Sequence, residues 1–83
     1  MAKAITDQQY LLSTGRDILS LLARTVVSRA SVTRDGRAIR ITPDADGSDL
    51  LRIPRIRDEI ESAARHAFGH RVTVTIADQG GRA

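Results

Sequence analysis

His66 and His70 stand four residues apart, the spacing at which a continuous helix can aim two imidazoles at one metal ion. Gly69 falls between them and the chain has no cysteine to complete a zinc set, so the pair predicts no metal site. His66 reads as a helix-surface residue and His70 as the entry to a strand. Asp44, Asp46 and Asp49 around Gly47 resemble part of a calcium loop. An EF-hand loop, however, wants glycine at position 6 and glutamate at 12, counted from its first acid. Here Gly47 comes two places early and Arg55 stands where the glutamate belongs, so an acidic turn is the reading.

Catalytic chemistry finds no constellation. Ser13, Ser20, Ser28, Ser31, Ser48 and Ser62 occupy cap, helix-surface, strand or loop contexts, and none sits in the Gly-x-Ser-x-Gly frame of a nucleophile elbow. Asp58, Glu59 and Glu61 are close carboxylates on one helix and read as solubilising charge. No glycine-rich loop of the phosphate-cradling kind is present. The expectation is a non-enzyme without cofactor or metal.

Arginine is the chemistry left over. Of thirteen basic residues Lys3 is the only lysine, ten acids are interspersed, and the net charge is +3. Such a balance permits attraction to nucleic acid or to an acidic protein, and equally fits a mundane solvated surface. Arg40 and Arg71 fall on strands, Arg34 and Arg37 flank a hairpin turn, and Arg52, Arg55 and Arg57 cluster where a helix begins. These residues could meet phosphates. Yet Tyr10 and Phe68 are the only aromatics, and neither lies where a base could stack on the strands.

The elements that position these residues follow from period and cap chemistry. Thr6-Asp7-Gln8-Gln9 is a capping box. A second helix start is expected at Thr14, with Ile18, Leu21, Leu22 and Val26 on one buried face. A break at Gly15 is preferred over one long helix from Asp7 to about Ser28, since mid-helix glycine costs ~1 kcal/mol. Asp35-Gly36 then joins a strand at Ala30–Arg34 to one at Arg37–Thr42, with Val32, Ile39 and Ile41 on one face. Pro43 ends the second strand, and 43–49 reads as an acidic loop docked by Leu50 and Leu51.

From Ile53 to Phe68 the chain reads as an amphipathic helix burying Ile53, Ile56, Ile60, Ala63, Ala64 and Ala67. Pro54 suits its first turn, Gly69 its stop, and the pairs Arg57–Glu61 and Glu61–Arg65 lace its outer face. The alternation of Val72, Val74 and Ile76 marks a closing strand at His70–Ile76.

The order α(α)-β-β-α-β predicts a small single α+β domain. Its three-stranded mixed sheet is packed on one face by helices, and its last strand joins beside the first. The other face carries Ser31, Thr33, Ala38, Arg40, Thr42, Arg71, Thr73 and Thr75. The domain spans 1–83, with a core at about 6–77 and flexible ends at 1–5 and 78–83. Hydrophobic residues make up 41% of the chain, enough for an aliphatic core. The absence of cysteine, of a signal-like apolar run in Met1–Ile5 and of a membrane-length apolar stretch points to the cytoplasm.

The stretch Leu50-Leu51-Arg52-Ile53-Pro54-Arg55-Ile56-Arg57-Asp58-Glu59-Ile60, together with Phe68-Gly69-His70-Arg71-Val72-Thr73-Val74-Thr75-Ile76, is similar to a helix–glycine–strand ending. That ending belongs to KH-like modules of bacterial replication proteins, namely the N-terminal domain of the initiator DnaA and the C-terminal domain of the clamp-loader tau subunit. The resemblance spans about Asp17 to Ala77. It implies a protein-docking module in DNA replication, without catalysis, and carries over no binding residue.

The function expected is therefore a small protein–protein interaction or regulatory domain. Its best surface is Arg40, Arg71, Thr73 and Thr75, followed by Arg55 and Arg57. Two alternatives stand beside it: a nucleic-acid-binding accessory domain making weak contacts through the same arginines, and a small regulator from a mobile element. Self-association through an unpaired sheet edge is open in each case, and a long strand from Thr25 to Arg34 would favour it.

Overall fold

The structure, a computed structural model, describes residues 6–77. The expected flexible ends at 1–5 and 78–83 lie outside the described residues. The elements run α1 (Asp7–Thr14), α2 (Leu21–Ser28), β1 (Ser31–Asp35), β2 (Ala38–Thr42), α3 (Ala45–Leu50), α4 (Pro54–Phe68) and β3 (Thr73–Ile76). The fold is α+β, with a three-stranded mixed sheet as expected.

The capping box forms: Thr6 Oγ1 accepts from the Gln9 N–H at 3.1 Å, and Gln9 Oε1 accepts from the Thr6 N–H at 3.3 Å. The chain breaks at Gly15, but with φ −89° the glycine is not there for its backbone freedom. A Cβ at Gly15 would lie 2.7 Å from Ala63 Cβ, so the missing side chain lets α1 close onto α4. The second helix starts six residues later than the expected Thr14. Residues 16–19 form a turn that buries Leu19, and the Ser20 hydroxyl caps α2 by accepting from the Ala23 N–H at 3.3 Å.

That delay resets the helical phase. Ala23, Val26 and Val27 form the buried stripe of α2. At about 100° per residue, Leu21 then points almost directly away from the core and Leu22 to one flank. Both are exposed, 72% and 45%, against the expectation that they are buried. Ile53 is likewise 43% exposed, because it caps α4 in an extended conformation instead of joining its stripe. Ile56, Ile60, Ala63 and Ala64 carry that stripe, with Ala67 only half-buried.

Asp35 pairs with Ala38, so the hairpin loop is Gly36-Arg37 and not the expected Asp35-Gly36. Gly36 has φ +62° and no other loop residue is left-handed, the sign pattern of a type II′ turn, which needs glycine first. The expected acidic loop at 43–49 is mostly helical: Asp44 Oδ1 accepts from the Gly47 N–H at 2.8 Å and nucleates α3. Arg29 pairs with Asp44 at 3.2 Å, and Leu51 docks in the core as expected.

The strand order is β1-β2-β3, with β3 parallel to β2. The last strand therefore sits beside the second, not the first. This agrees with the fully buried Ile39 and Ile41, which make β2 the natural middle strand. β3 is also shorter than expected, and His70 and Arg71 belong to a turn after Gly69. Gly69 does stop α4, at φ +107° and ψ 154°, a region reserved for glycine. The long strand from Thr25 does not form, since Thr25–Ser28 are helical.

Side chains bolt the helices together. Gln8 Nε2 lies 2.8, 2.8 and 2.9 Å from the carbonyl oxygens of Val27, Ser28 and Ala30, tying α1 to the α2–β1 joint. Glu59 Oε1 accepts the Ser20 N–H at 2.8 Å, tying α4 to the start of α2.

Candidate interaction surfaces

The candidate residues fall on two separate surfaces. The sheet register places Ser31, Thr33, Asp35, Ala38, Arg40, Thr42, Thr73 and Thr75 on one face, and all but the half-buried Thr42 are exposed. Arg40, Thr73 and Thr75 come together there as expected. Arg71 does not join them on a strand; it sits exposed on the turn ahead of β3. Asp35 is the member that sequence reading missed. The Ser31, Thr33, Asp35 alternation carried the signal, but ending the strand at Arg34 concealed it. Thr33, Asp35, Ala38, Ile39, Arg40 and Thr75 line a shallow depression of about 260 Å³.

Arg34 faces the other way. Its guanidinium stands 5.4 Å from the centre of the Phe68 ring, and Phe68 meets Tyr10 with centroids 5.5 Å apart. Both aromatics are thus on the helix side, while Arg34 flanks the turn as expected, its Nε donating to the Gly36 carbonyl at 3.4 Å and its guanidinium facing the Phe68 ring.

Arg55 and Arg57 belong to the helical layer, at the start of α4. Arg55 pairs with Glu59 at 3.3 Å, whereas the expected Arg57–Glu61 pair is not among the ion pairs of the described residues. The expected Glu61–Arg65 pair does form, at 3.8 Å. Glu59 is more than solubilising charge. The Ser20 hydroxyl, the Ser20 backbone N–H and the nearby Arg55 outweigh partial burial and hold its carboxyl below the usual carboxylate range.

The exposed apolar residues lie at the ends of the helices joined by these contacts. The Ser20–Glu59 bond ties the start of α2 to α4. Gly47 faces Val26, and Arg29 reaches Asp44, so α3 packs along the second half of α2. Half-buried Leu50 closes α3, and exposed Ile53 opens α4. Leu21, Leu22 and Ile53 are thus exposed at the starts of α2 and α4, with half-buried Leu50 at the end of α3 between them in the chain. Arg52, Arg55 and Arg57 follow from the linker and first turn of α4, a turn that holds no acid. No single periodicity in the sequence could reveal this, because each apolar residue fits a buried stripe in some phase.

The metal candidates do not converge. Asp44 and Asp46 turn their carboxylates to Arg29, at 3.2 and 3.6 Å. His66 and His70 are both exposed, on either side of the Gly69 break. Among the described residues no three metal-ligating side chains gather, and no helix is long and apolar enough to cross a membrane. Comparison with protein-family models, with curated proteins and with solved structures returns no match.

Proposed function

We propose that the chain is a small non-catalytic interaction module that docks another protein at the corner between α2, α3 and α4. One observation carries this reading: Leu21, Leu22 and Ile53, large apolar side chains, stand in solvent at the starts of α2 and α4, with Arg52, Arg55 and Arg57 flanking Ile53 along the chain. Scattered exposed hydrophobics mean little, but a group of them at one corner with an arginine rim has the composition of a protein interface. The partner it suits presents an apolar stripe edged with carboxylates, such as an amphipathic acidic helix. The KH-like resemblance suggests the replication machinery as the place to look for it.

Nucleic-acid binding is less well supported. Arg29, Arg34 and Arg65 are each engaged by an acid or a ring, and Asp35 adds a negative charge to the open sheet face. If that reading held, a low-salt titration with DNA or RNA would show binding that weakens steeply with salt.

The test is affinity capture from the native host with the wild-type chain, an L21S/L22S variant and a T33A/T75A variant. The expected result is a protein partner retained by wild type and T33A/T75A and lost with L21S/L22S. A partner retained equally by L21S/L22S would overturn the proposal.

A further inference from the structure

The open sheet face carries an arrangement of charge that the helical corner does not use. The register sets Asp35 opposite Ala38 and Thr33 opposite Arg40. Asp35 and Arg40 therefore occupy one diagonal of a four-residue square, and Ala38 and Thr33 the other. Both charged residues are exposed, and neither belongs to an ion pair with another described residue. Diagonal neighbours stand about 7–8 Å apart, within reach of an arginine, yet the two do not close on each other. Between them lies the depression of about 260 Å³, lined in part by Ala38, whose side chain ends at Cβ.

This layout is self-complementary. A two-fold axis lying between two stacked sheets, perpendicular to that diagonal at its midpoint, sets Asp35 of one copy opposite Arg40 of the other, and the reverse. Such an exchange is the requirement of an isologous contact. A uniformly acidic partner would meet Asp35 with like charge, and a uniformly basic one would meet Arg40. A second copy of the chain satisfies both charges with the same geometry.

We infer that the open sheet face is a homodimer contact in which Asp35 and Arg40 pair reciprocally over the depression, with Thr33 and Thr75 beside them. The contact is small. Three strands about 4.8 Å apart and five residues long at about 3.3 Å each give a footprint of roughly 240 Å². That falls well short of the roughly 800 Å² per partner of a standard interface, so the dimer is weak and appears only at high protein concentration.

Sedimentation equilibrium from micromolar to millimolar protein at low salt tests this. Wild type should show a reversible monomer–dimer equilibrium. D35R and R40D should each weaken it about tenfold or more, which corresponds to about 1.4 kcal/mol. The double swap D35R/R40D should return the dissociation constant to within about threefold of wild type, since attraction is restored with the signs reversed. Far-ultraviolet circular dichroism and thermal melts verify that each variant is folded, which exposed positions permit. A wild type that stays monomeric to millimolar concentration overturns the inference. So does association that survives the single swaps, which would point to an unpaired strand edge instead. L21S/L22S should leave the equilibrium unchanged, which separates this result from partner docking at the helical corner.

Discussion

Removing the Gln8 side chain should loosen the fold by a calculable amount. Its Nε2 has two hydrogens to give and three carbonyl oxygens within 2.9 Å, so at most two full bonds form at a time. The three acceptors do not lose equally in Gln8→Ala. Val27 O keeps the Ala30 N–H at 3.1 Å, and the Ser28 carbonyl is exposed and can turn to water. Ala30 O, part-buried, loses its side-chain donor. Two net bonds at ~0.5–1.5 kcal/mol each, reduced by that compensation, give a loss of about 1–2 kcal/mol. In a domain of this size that is a fall in Tm of roughly 5–15 °C. Gln8→Glu sharpens the test, because at neutral pH it sets carboxylate oxygens against the same carbonyls and must cost more than alanine. Urea unfolding followed by circular dichroism, with an unchanged m-value, reads both. A Gln8→Ala loss under about 0.3 kcal/mol, or a glutamate variant no worse than alanine, would refute the bolt between α1 and α2.

Gly15→Ala should cost about 1–3 kcal/mol by overpacking, since its Cβ would sit 2.7 Å from Ala63 Cβ; a neutral result in urea unfolding would mean α1 and α4 are not so close. Glu59→Gln should lower stability at neutral pH and flatten its acid limb. The folded carboxyl titrates below its unfolded value, so its contribution is present above the usual carboxylate range and lost as pH falls through it. Urea midpoints measured across that range check this, and parallel pH profiles for variant and wild type would contradict it. Leu21→Ser, at a position 72% exposed, should change stability by less than about 0.5 kcal/mol; a larger loss would show that Leu21 is core after all.

The local signals in the chain translated well where one residue type does one job. The Thr6–Gln9 box, Pro54 at the first helical position and Gly69 at the stop all form where their chemistry places them. Most of the aliphatic stripe of α4 and of the open Thr/Arg face followed from period, with Ile53 and Arg71 falling outside them. Errors arose where a choice depended on distant contacts. Gly15 is set by packing on Ala63, so α2 starts late and its leucines turn outward. The place of β3 beside β2 is a topological outcome that no local residue encodes. The pairing of Glu59 with Ser20 joins residues far apart in sequence and is invisible to an i,i+4 rule. The helical corner was missed for this reason: Leu21, Leu22 and Ile53 are exposed by tertiary packing, while their sequence context argues for burial.

A photo-reactive amino acid at position 21, compared with one at position 33 and irradiated in the native host, shows which surface meets a partner protein. Docking at the α2–α3–α4 corner predicts a covalent adduct from position 21 to another protein, the cross-linked segment being apolar and acidic. From position 33 it predicts at most an adduct between two copies of the chain. An adduct to another protein from position 33, with none from position 21, would rule out docking at the helical corner.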